Sequence, residues 1–69
     1  MPESVYKVIE LVGTSTDSWE RAAAAAVEKA AESLEDLRIG EVMEQDVQIE
    51  GGKVVHYRVK LKVSFRYQK

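Results

Sequence analysis

The chain has 69 residues, with 10 Lys or Arg, 12 Asp or Glu, a formal net charge of -2 at pH 7 and no cysteine. This length suits one domain over 1–69 without disulfides, and the slight acidic excess argues against a general nucleic-acid binder. No apolar run is long enough to span a membrane and no signal-peptide pattern is recognised, so we predict a cytoplasmic protein without a membrane partner.

The small size of the chain predicts oligomerisation. A domain of this size buries only roughly 60% of the surface that its unfolded chain exposes. Conformational entropy opposes folding by about 1.5 kcal/mol per ordered residue, and one helix on a small sheet is expected to bury too little apolar surface to offset it. Because no disulfide is available, association with further copies is the remaining common source of stability. We therefore expect a homo-oligomer.

The first half of the chain predicts a strand followed by a helix. Residues 5–12 are rich in Val, Ile, Leu and Tyr on both faces, which is typical of a strand covered on both sides, and Gly13 is predicted to end it. Among several candidate helix caps, Asp17 followed by Glu20 fits a variant of the capping box. The helix is predicted over 18–36, from an alanine run and an apolar stripe with spacings of three and four residues.

The second half predicts two strands, over 38–50 and 54–67. In the later strand apolar and polar residues alternate, so one face covers a core and the other is basic. The apolar face contains Val55, Tyr57, Val59, Leu61, Val63, Phe65 and Tyr67. The earlier strand has one largely apolar face, and its other face carries Glu44, Asp46, Gln48 and Glu50.

A three-residue loop over 51–53 is predicted between these strands, because it sets apolar against apolar and polar against polar. A slip by one residue would mix the two kinds on every rung. The residue pairs that face each other in this register are Ile49 with Val55, Val47 with Tyr57, Met43 with Leu61, Gln48 with His56, Glu44 with Lys60, and Asp46 with Arg58. The predicted fold is α+β: a β-α-β-β unit whose three-stranded antiparallel sheet curls around one helix.

The sequence contains no recognisable catalytic constellation. It has no cysteine nucleophile, no serine with a base at a credible spacing and no phosphate-binding or dinucleotide-binding fingerprint, so we predict that the protein is not an enzyme. The lone His56 has no metal-ligand partners near it and is predicted to be solvated. Glu44 and Asp46 are candidate oxygen ligands for a hard cation such as Ca2+. The simpler interpretation of the acidic row is a sheet face of cross-strand salt bridges.

Several segments resemble the dodecin family. They are 5–15, 18–20, 34–38, Glu41-Val42, Glu44-Gln45, 52–57, Lys62-Val63 and Phe65, and they extend over nearly the whole chain. The resemblance implies a subunit that assembles into a hollow homododecamer. It also implies storage of a flavin (riboflavin or a relative such as FMN) between subunits, without catalytic turnover.

The chain differs from flavin-binding dodecins at the positions that contact flavin in that family. Where flavin-binding members carry a stacking tryptophan, this chain has Ile39, followed by Gly40. Where they carry a glutamine that hydrogen-bonds the flavin, it has Arg58. Glu44 matches an acidic position near the flavin in some members, and Gln45 follows it. We therefore interpret Ile39, Gly40, Glu44, Gln45 and Arg58 as a degenerate flavin site.

Asp46 is a further departure, because dodecins more often carry a basic residue or glycine there. Since the predicted register sets Asp46 opposite Arg58, we hypothesise that the two changed together into an ion pair. The resemblance also implies that members without the aromatic platform hold metal ions, calcium among them. We therefore favour a storage cage with weak or absent flavin binding and Ca2+ at subunit junctions, bound by Glu44 and Asp46. The alternative is a flavin store that uses Trp19, otherwise predicted in a core or interface, or a tyrosine as a substitute platform.

Overall fold

The computed structural model describes residues 3–67 of the chain as four elements. They are β1 (Tyr6–Ser15), α1 (Trp19–Ala31), β2 (Leu37–Glu50) and β3 (Lys53–Arg66). The three strands form one antiparallel sheet in the order β1-β3-β2, and α1 packs on one of its faces. The predicted β-α-β-β fold is therefore confirmed.

The predicted single domain over 1–69 stays a prediction, and residues 1, 2, 68 and 69 lie outside the described part. Between residues 3 and 67, no helix is long and apolar enough to cross a membrane. The cytoplasmic location also stays a prediction.

The core lies between α1 and β3, where small helix residues meet branched residues of the central strand. Ala22 and Ala26 of α1 are buried against Val59, Leu61 and Val63 of β3. The two alanines are four residues apart and share one face of the helix, and their methyl groups let the helix lie close to the sheet. The predicted apolar face of the third strand is therefore the face that covers the core.

Gly13 lies inside β1, which continues to Ser15, so the prediction that Gly13 ends the strand is wrong. A Cβ atom at this position would overlap the carbonyl oxygen of Ala22 and lie 3.1 Å from the Cβ of Ala26. The glycine is therefore required by the close approach of α1 to the sheet, a role that glycine commonly has in a strand. A sequence pattern does not reveal such a contact, because the two segments meet only in the folded chain.

The helix begins at Trp19, and its cap is Ser18. The hydroxyl oxygen of Ser18 accepts a hydrogen bond from the backbone N–H of Arg21 at 3.0 Å, as N-cap serines commonly do. Asp17 lies before the cap, and its backbone N–H donates to the Oγ of Ser15 at 2.9 Å. The predicted capping box is therefore wrong, because Asp17 belongs to the turn that precedes the helix.

The helix ends at Ala31, well before the predicted end at residue 36. The backbone N–H of Leu34 bonds the carbonyl of Ala30 at 3.0 Å and closes the last turn. Asp36 then has a left-handed backbone, with φ of 62°, and its carbonyl accepts a hydrogen bond from the N–H of Arg66 at 3.2 Å. This bond aligns the start of β2 with β3. The early end was missed because the segment contains neither glycine nor proline to signal it.

A two-residue turn joins β2 to β3, so the predicted three-residue loop is wrong. Gly51 and Gly52 both have positive φ, 58° and 76°, and Glu50 pairs with Lys53. Positive φ at both central residues is the requirement of the type I′ turn that closes two-residue hairpins. Two consecutive glycines satisfy that requirement without strain.

A bulge at Val55 restores the predicted register after this turn. Ile49 pairs with Val54 instead of Val55, but the next pair is Gln48 with His56, so Val55 is an extra residue in β3. The predicted pairs observed beyond the bulge are Val47 with Tyr57, Asp46 with Arg58, and Glu44 with Lys60. The bulge accommodates the one-residue difference between the observed two-residue turn and the predicted three-residue loop. The two-glycine turn and the predicted pairing of polar residues therefore occur in the same hairpin.

The edge strand β2 carries two further irregularities. Val42 pairs with Leu61, so the predicted pairing of Met43 with Leu61 is wrong and Met43 is the extra residue of a bulge. A second shift lies between Leu37 and Ile39. Bulges bend and twist the strand that carries them, and such a bend is consistent with the predicted curl of the sheet around the helix.

Candidate ligand-binding face

We name the sheet face turned away from α1 the outer face. Its charged residues form rows along the strands. The central strand presents basic residues, and β2 presents acids and amides opposite them. The cross-strand pairs of this face are Glu41 with Lys62, Glu44 with Lys60, Asp46 with Arg58, and Gln48 with His56. Opposite charges on directly paired strand residues stabilise a sheet.

Asp46 and Arg58 form a bidentate ion pair at the centre of the outer face. The Nε of Arg58 donates to one carboxylate oxygen of Asp46 at 2.7 Å, and an Nη donates to the other at 3.1 Å. The predicted cross-strand pair is therefore confirmed. Hydrogen bonding from Arg58 lowers the pKa of Asp46; desolvation opposes this shift and the positive charge of Arg58 adds to it. Hydrogen bonding to Asp46 in turn raises the pKa of Arg58.

Acid should weaken the folded state in part through this pair. Because the folded-state pKa of Asp46 lies below its unfolded value, the pair's contribution to stability is complete above the unfolded pKa, near about 4, and is lost as the pH falls through the folded value. We expect Asp46→Asn to remove that part of the pH dependence. Urea unfolding at several pH values between neutral and strongly acidic measures it.

The matched control for this experiment is Glu44→Gln, which removes an exposed carboxylate of the same strand face. Since Arg58 bonds Asp46 and not Glu44, the control should leave the acid-dependent loss of stability attributable to Asp46 in place. Superimposable pH profiles for wild type and Asp46→Asn would contradict the assignment.

A hydrogen bond from the side chain of Trp19 connects the start of α1 to the backbone of β2. The indole N–H donates to the carbonyl of Asp46 at 3.0 Å. The indole ring meets the ring of Tyr57 edge-on, with centroids 5.2 Å apart and planes at 74°. Trp19 is half-buried and packs against the core, so its hydrogen-bond donor and its ring are both engaged within the subunit.

The structure divides the predicted flavin-site residues between the two faces of the sheet. Ile39, 64% exposed, pairs with Ser64 on the outer face, which also carries Glu44 and Arg58. Gly40 pairs with Val63 and Gln45 with Val59, so both lie on the helix side. The structure therefore brings Ile39, Glu44, Asp46 and Arg58 onto one face and separates Gly40 and Gln45 from them.

A shallow depression surrounds Ile39 and adds residues that sequence reasoning missed. Its volume is about 340 Å3, and its other lining residues are Val8, Glu41, Lys62 and Ser64. Val8 comes from β1, which pairs with β3 so that Val8 lies opposite Ser64. The missing signal was the register of β1, since apolar residues on both of its faces gave no preferred alignment.

Residues 3–67 of one subunit contain no ready-made metal site. Within residues 3–67, no group of three or more His, Cys, Asp or Glu side chains is placed to hold a metal ion. Both carboxylate oxygens of Asp46 are bonded to Arg58. His56 was predicted to be solvated, but it is half-buried and its Nδ1 is enclosed without a hydrogen-bond partner in the described part of the chain.

These features define a class of protein: a small β-α-β-β subunit whose sheet has a charged face on the side away from the helix. A family model described as Dodecin matches residues 5–68. The chain belongs to the dodecin family. Dodecins form dodecamers and act as ligand-binding cage proteins.

Individual dodecins match over nearly their whole length. The calcium dodecin of Mycobacterium tuberculosis is 51% identical over 63 residues, which are 91% of this chain and 89% of that protein. The dodecin of Thermus thermophilus is 42% identical over 64 residues, 93% of each chain. The solved dodecin of Streptomyces coelicolor superposes with a TM-score of 0.94 at 40% identity, covering 100% of this chain and 99% of that one. The crystal structure of the Mycobacterium protein, described as calcium-chelating, gives a TM-score of 0.84, covering 94% of this chain and 93% of that one.

Proposed function

We infer that this chain is the subunit of a non-enzymatic homododecameric cage that binds a divalent cation, Ca2+, at the junctions between subunits and has lost the dodecin flavin site. The observation that carries this inference is the closed Asp46–Arg58 pair. It directs the guanidinium of Arg58, the polar residue at the flavin-reading position, to Asp46. The alternative, a flavin store with altered contacts, requires that same position to remain available.

Flavin binding is disfavoured by the remaining residues of the site as well. Ile39 offers an aliphatic side chain where the resemblance places an aromatic platform, and stacking of a base on an aromatic side chain is worth roughly 1–3 kcal/mol. A substitute platform would have to come from elsewhere in the subunit. Trp19 is held by its bond to Asp46 and its contact with Tyr57, so using it would first require those contacts to break.

A cation is favoured by the relative's chemistry and by the exposed carboxylate of Glu44. The Mycobacterium relative at 51% identity is a calcium dodecin. Glu44 is exposed on the outer face, where its cross-strand partner is Lys60, and Arg58 bonds Asp46. Because Ca2+ takes six to eight oxygen ligands, symmetry-related copies of Glu44 are needed to complete a site. Asp46 can join them only by sharing its oxygens with Arg58.

Calorimetry on chelator-treated protein tests the cation. We expect Ca2+ to bind with measurable heat. Mg2+ should bind more weakly, because it demands a stricter octahedral geometry. Glu44→Gln should weaken Ca2+ binding by about tenfold or more, since affinity follows the number of charged ligands. Glu20→Gln, which removes a carboxylate from α1, serves as the control and should bind like wild type. Absence of Ca2+ heat in the wild type would refute the proposal.

Riboflavin fluorescence tests the loss of the flavin site. Wild-type protein should leave the fluorescence unchanged at submicromolar concentration. The double variant Ile39→Trp with Arg58→Gln should gain quenching, because it restores the aromatic platform and the amide that the resemblance places there. Stoichiometric quenching by the wild type would instead support the flavin store.

A further inference from the structure

The middle of the edge strand β2 is connected to the helix by the side chain of Trp19. β2 is bonded only to β3 within the sheet, and an edge strand leaves one row of backbone N–H and C=O groups without a neighbouring strand. The indole N–H of Trp19, the first residue of α1, donates to the backbone carbonyl of Asp46 at 3.0 Å. This bond fixes the backbone of β2 at the residue whose carboxylate bonds Arg58.

The indole ring also contacts β3, at the residue next to Arg58. Tyr57 meets the ring edge-on, with centroids 5.2 Å apart, and it precedes Arg58 in the chain. The cross-strand partner of Tyr57 is Val47, which follows Asp46. Because adjacent strand residues point to opposite faces, Trp19 and Tyr57 lie on the helix side, whereas the ion pair lies on the outer face. Trp19 thus contacts both strands directly behind the pair.

The ion pair is exposed, so its geometry depends on the backbone beneath it. The side chains of Arg58 and Asp46 are 47% and 50% exposed, and exposed ion pairs contribute little unless their geometry is close to ideal. This pair is bidentate, with bonds of 2.7 and 3.1 Å, and two parallel bonds require the two side chains to be aligned. The backbones of the two strands set that alignment, and both are held by Trp19.

We propose that Trp19 is a positioning residue for the Asp46–Arg58 pair and that it thereby sets the ligand selectivity of the outer face. By holding β2 and β3 together behind the pair, Trp19 keeps the guanidinium of Arg58 on Asp46 and away from a ligand at the flavin-reading position. Without the indole N–H, the backbone at Asp46 can shift, and the two bonds lose their common alignment. This inference rests on the proposed function, in which the closed pair excludes flavin.

The pH dependence of stability tests the positioning role. Trp19→Phe keeps an aromatic ring against Tyr57 but removes the donor to Asp46. As the bonds from Arg58 loosen, the pKa of Asp46 should rise toward its ordinary value, so this carboxylate should contribute less stability at neutral pH. Urea unfolding measures that contribution as the drop in midpoint caused by Asp46→Asn. The drop should be clearly smaller in the Trp19→Phe background than in wild type.

The matched control background is Val27→Ala, which truncates another half-buried α1 residue packed against the core. It should lower the midpoint at every pH and leave the drop caused by Asp46→Asn unchanged, because independent sites add. A drop of the same size in wild type, Trp19→Phe and Val27→Ala would show that Trp19 contributes only to general stability, and would overturn the proposal.

The emission of Trp19 tests the same coupling without altering the indole, because the chain has a single tryptophan. Coupling between two sites is reciprocal, so breaking the ion pair should change the surroundings of the indole. At neutral pH, Asp46→Asn and Arg58→Gln should both shift the emission maximum, whereas Glu44→Gln on the same face should not. Unshifted emission in both pair variants, or an equal shift in Glu44→Gln, would contradict the positioning role.

Riboflavin fluorescence tests the effect on selectivity. Ile39→Trp restores an aromatic platform while Arg58 stays paired with Asp46, so by itself it should quench weakly. Adding Trp19→Phe should increase the quenching, because the guanidinium becomes available to the flavin carbonyls, and adding Val27→Ala should not. Equal quenching with either addition would rule out the selectivity role.

The unfolding and emission measurements use neither Ca2+ nor flavin, so they separate this inference from the proposed function. If wild type releases no heat with Ca2+ but both measurements give the expected results, the cation proposal fails and the positioning role stands. If Ca2+ binds while the drop caused by Asp46→Asn is the same in all three backgrounds, the positioning role fails alone.

Discussion

Replacing Gly13 with alanine should destabilise the folded protein by about 3 kcal/mol, at the upper end of the usual cost of overpacking. The new methyl group would overlap the carbonyl oxygen of Ala22 and lie 3.1 Å from the Cβ of Ala26. Both neighbours belong to α1, and the overlapped atom is backbone, so no side-chain rotation relieves the contact. The helix would have to move away from the sheet and loosen the buried contacts of Ala22 with β3.

The matched control is Gly40→Ala, the same change in β2, the opposite edge strand of the sheet. A Cβ at Gly40 would lie 3.7 Å from Leu61 and 3.9 Å from Val27, which are ordinary contact distances. Alanine there also restricts the unfolded chain, so the free energy of unfolding should stay the same or rise by about 0.4–1 kcal/mol. Urea unfolding of both variants at one protein concentration makes the comparison. Similar losses at the two sites would show that the helix does not approach Gly13 as closely as described.

The residues of β2 and β3 explain why the polar face could be predicted. A strand with a strict period of two has only two ways to face a core, and a one-residue slip exchanges them. That constraint was enough to place Asp46 opposite Arg58. It was not enough to predict the turn, because the bulge at Val55 let a tight two-glycine turn coexist with the same pairs.

Contacts between segments that lie far apart in the chain could not be predicted from the sequence. The role of Gly13 depends on how near α1 comes to β1, and the bond from Trp19 to Asp46 joins residues on different elements. The division of the candidate site has a simpler cause. Adjacent strand residues point to opposite faces, so Gly40 lies on the helix side while its neighbour Ile39 lies on the outer face.

Leu61→Ala should cost about 2–5 kcal/mol of stability, the range for removing a buried leucine side chain. Leu61 lies at the centre of β3 with 1% of its surface exposed and belongs to the core cluster. It packs between β1, which it meets at Leu11, and β2, which it meets at Val42. The truncated side chain would leave a cavity under the helix, because the strands on both sides hold the backbone in place.

Val42→Ala is the control on the same rung. Val42 is the cross-strand partner of Leu61 on the same sheet face but is 49% exposed, so its truncation should cost clearly less in the subunit. Unfolding followed at several protein concentrations adds a second readout. A stability that depends on assembly falls as the protein is diluted, and a core defect at Leu61 should lower the unfolding midpoint at every concentration. If dilution instead lowers the Val42→Ala midpoint more steeply than that of Leu61→Ala, then Val42 is covered by another subunit and belongs to an interface of the cage.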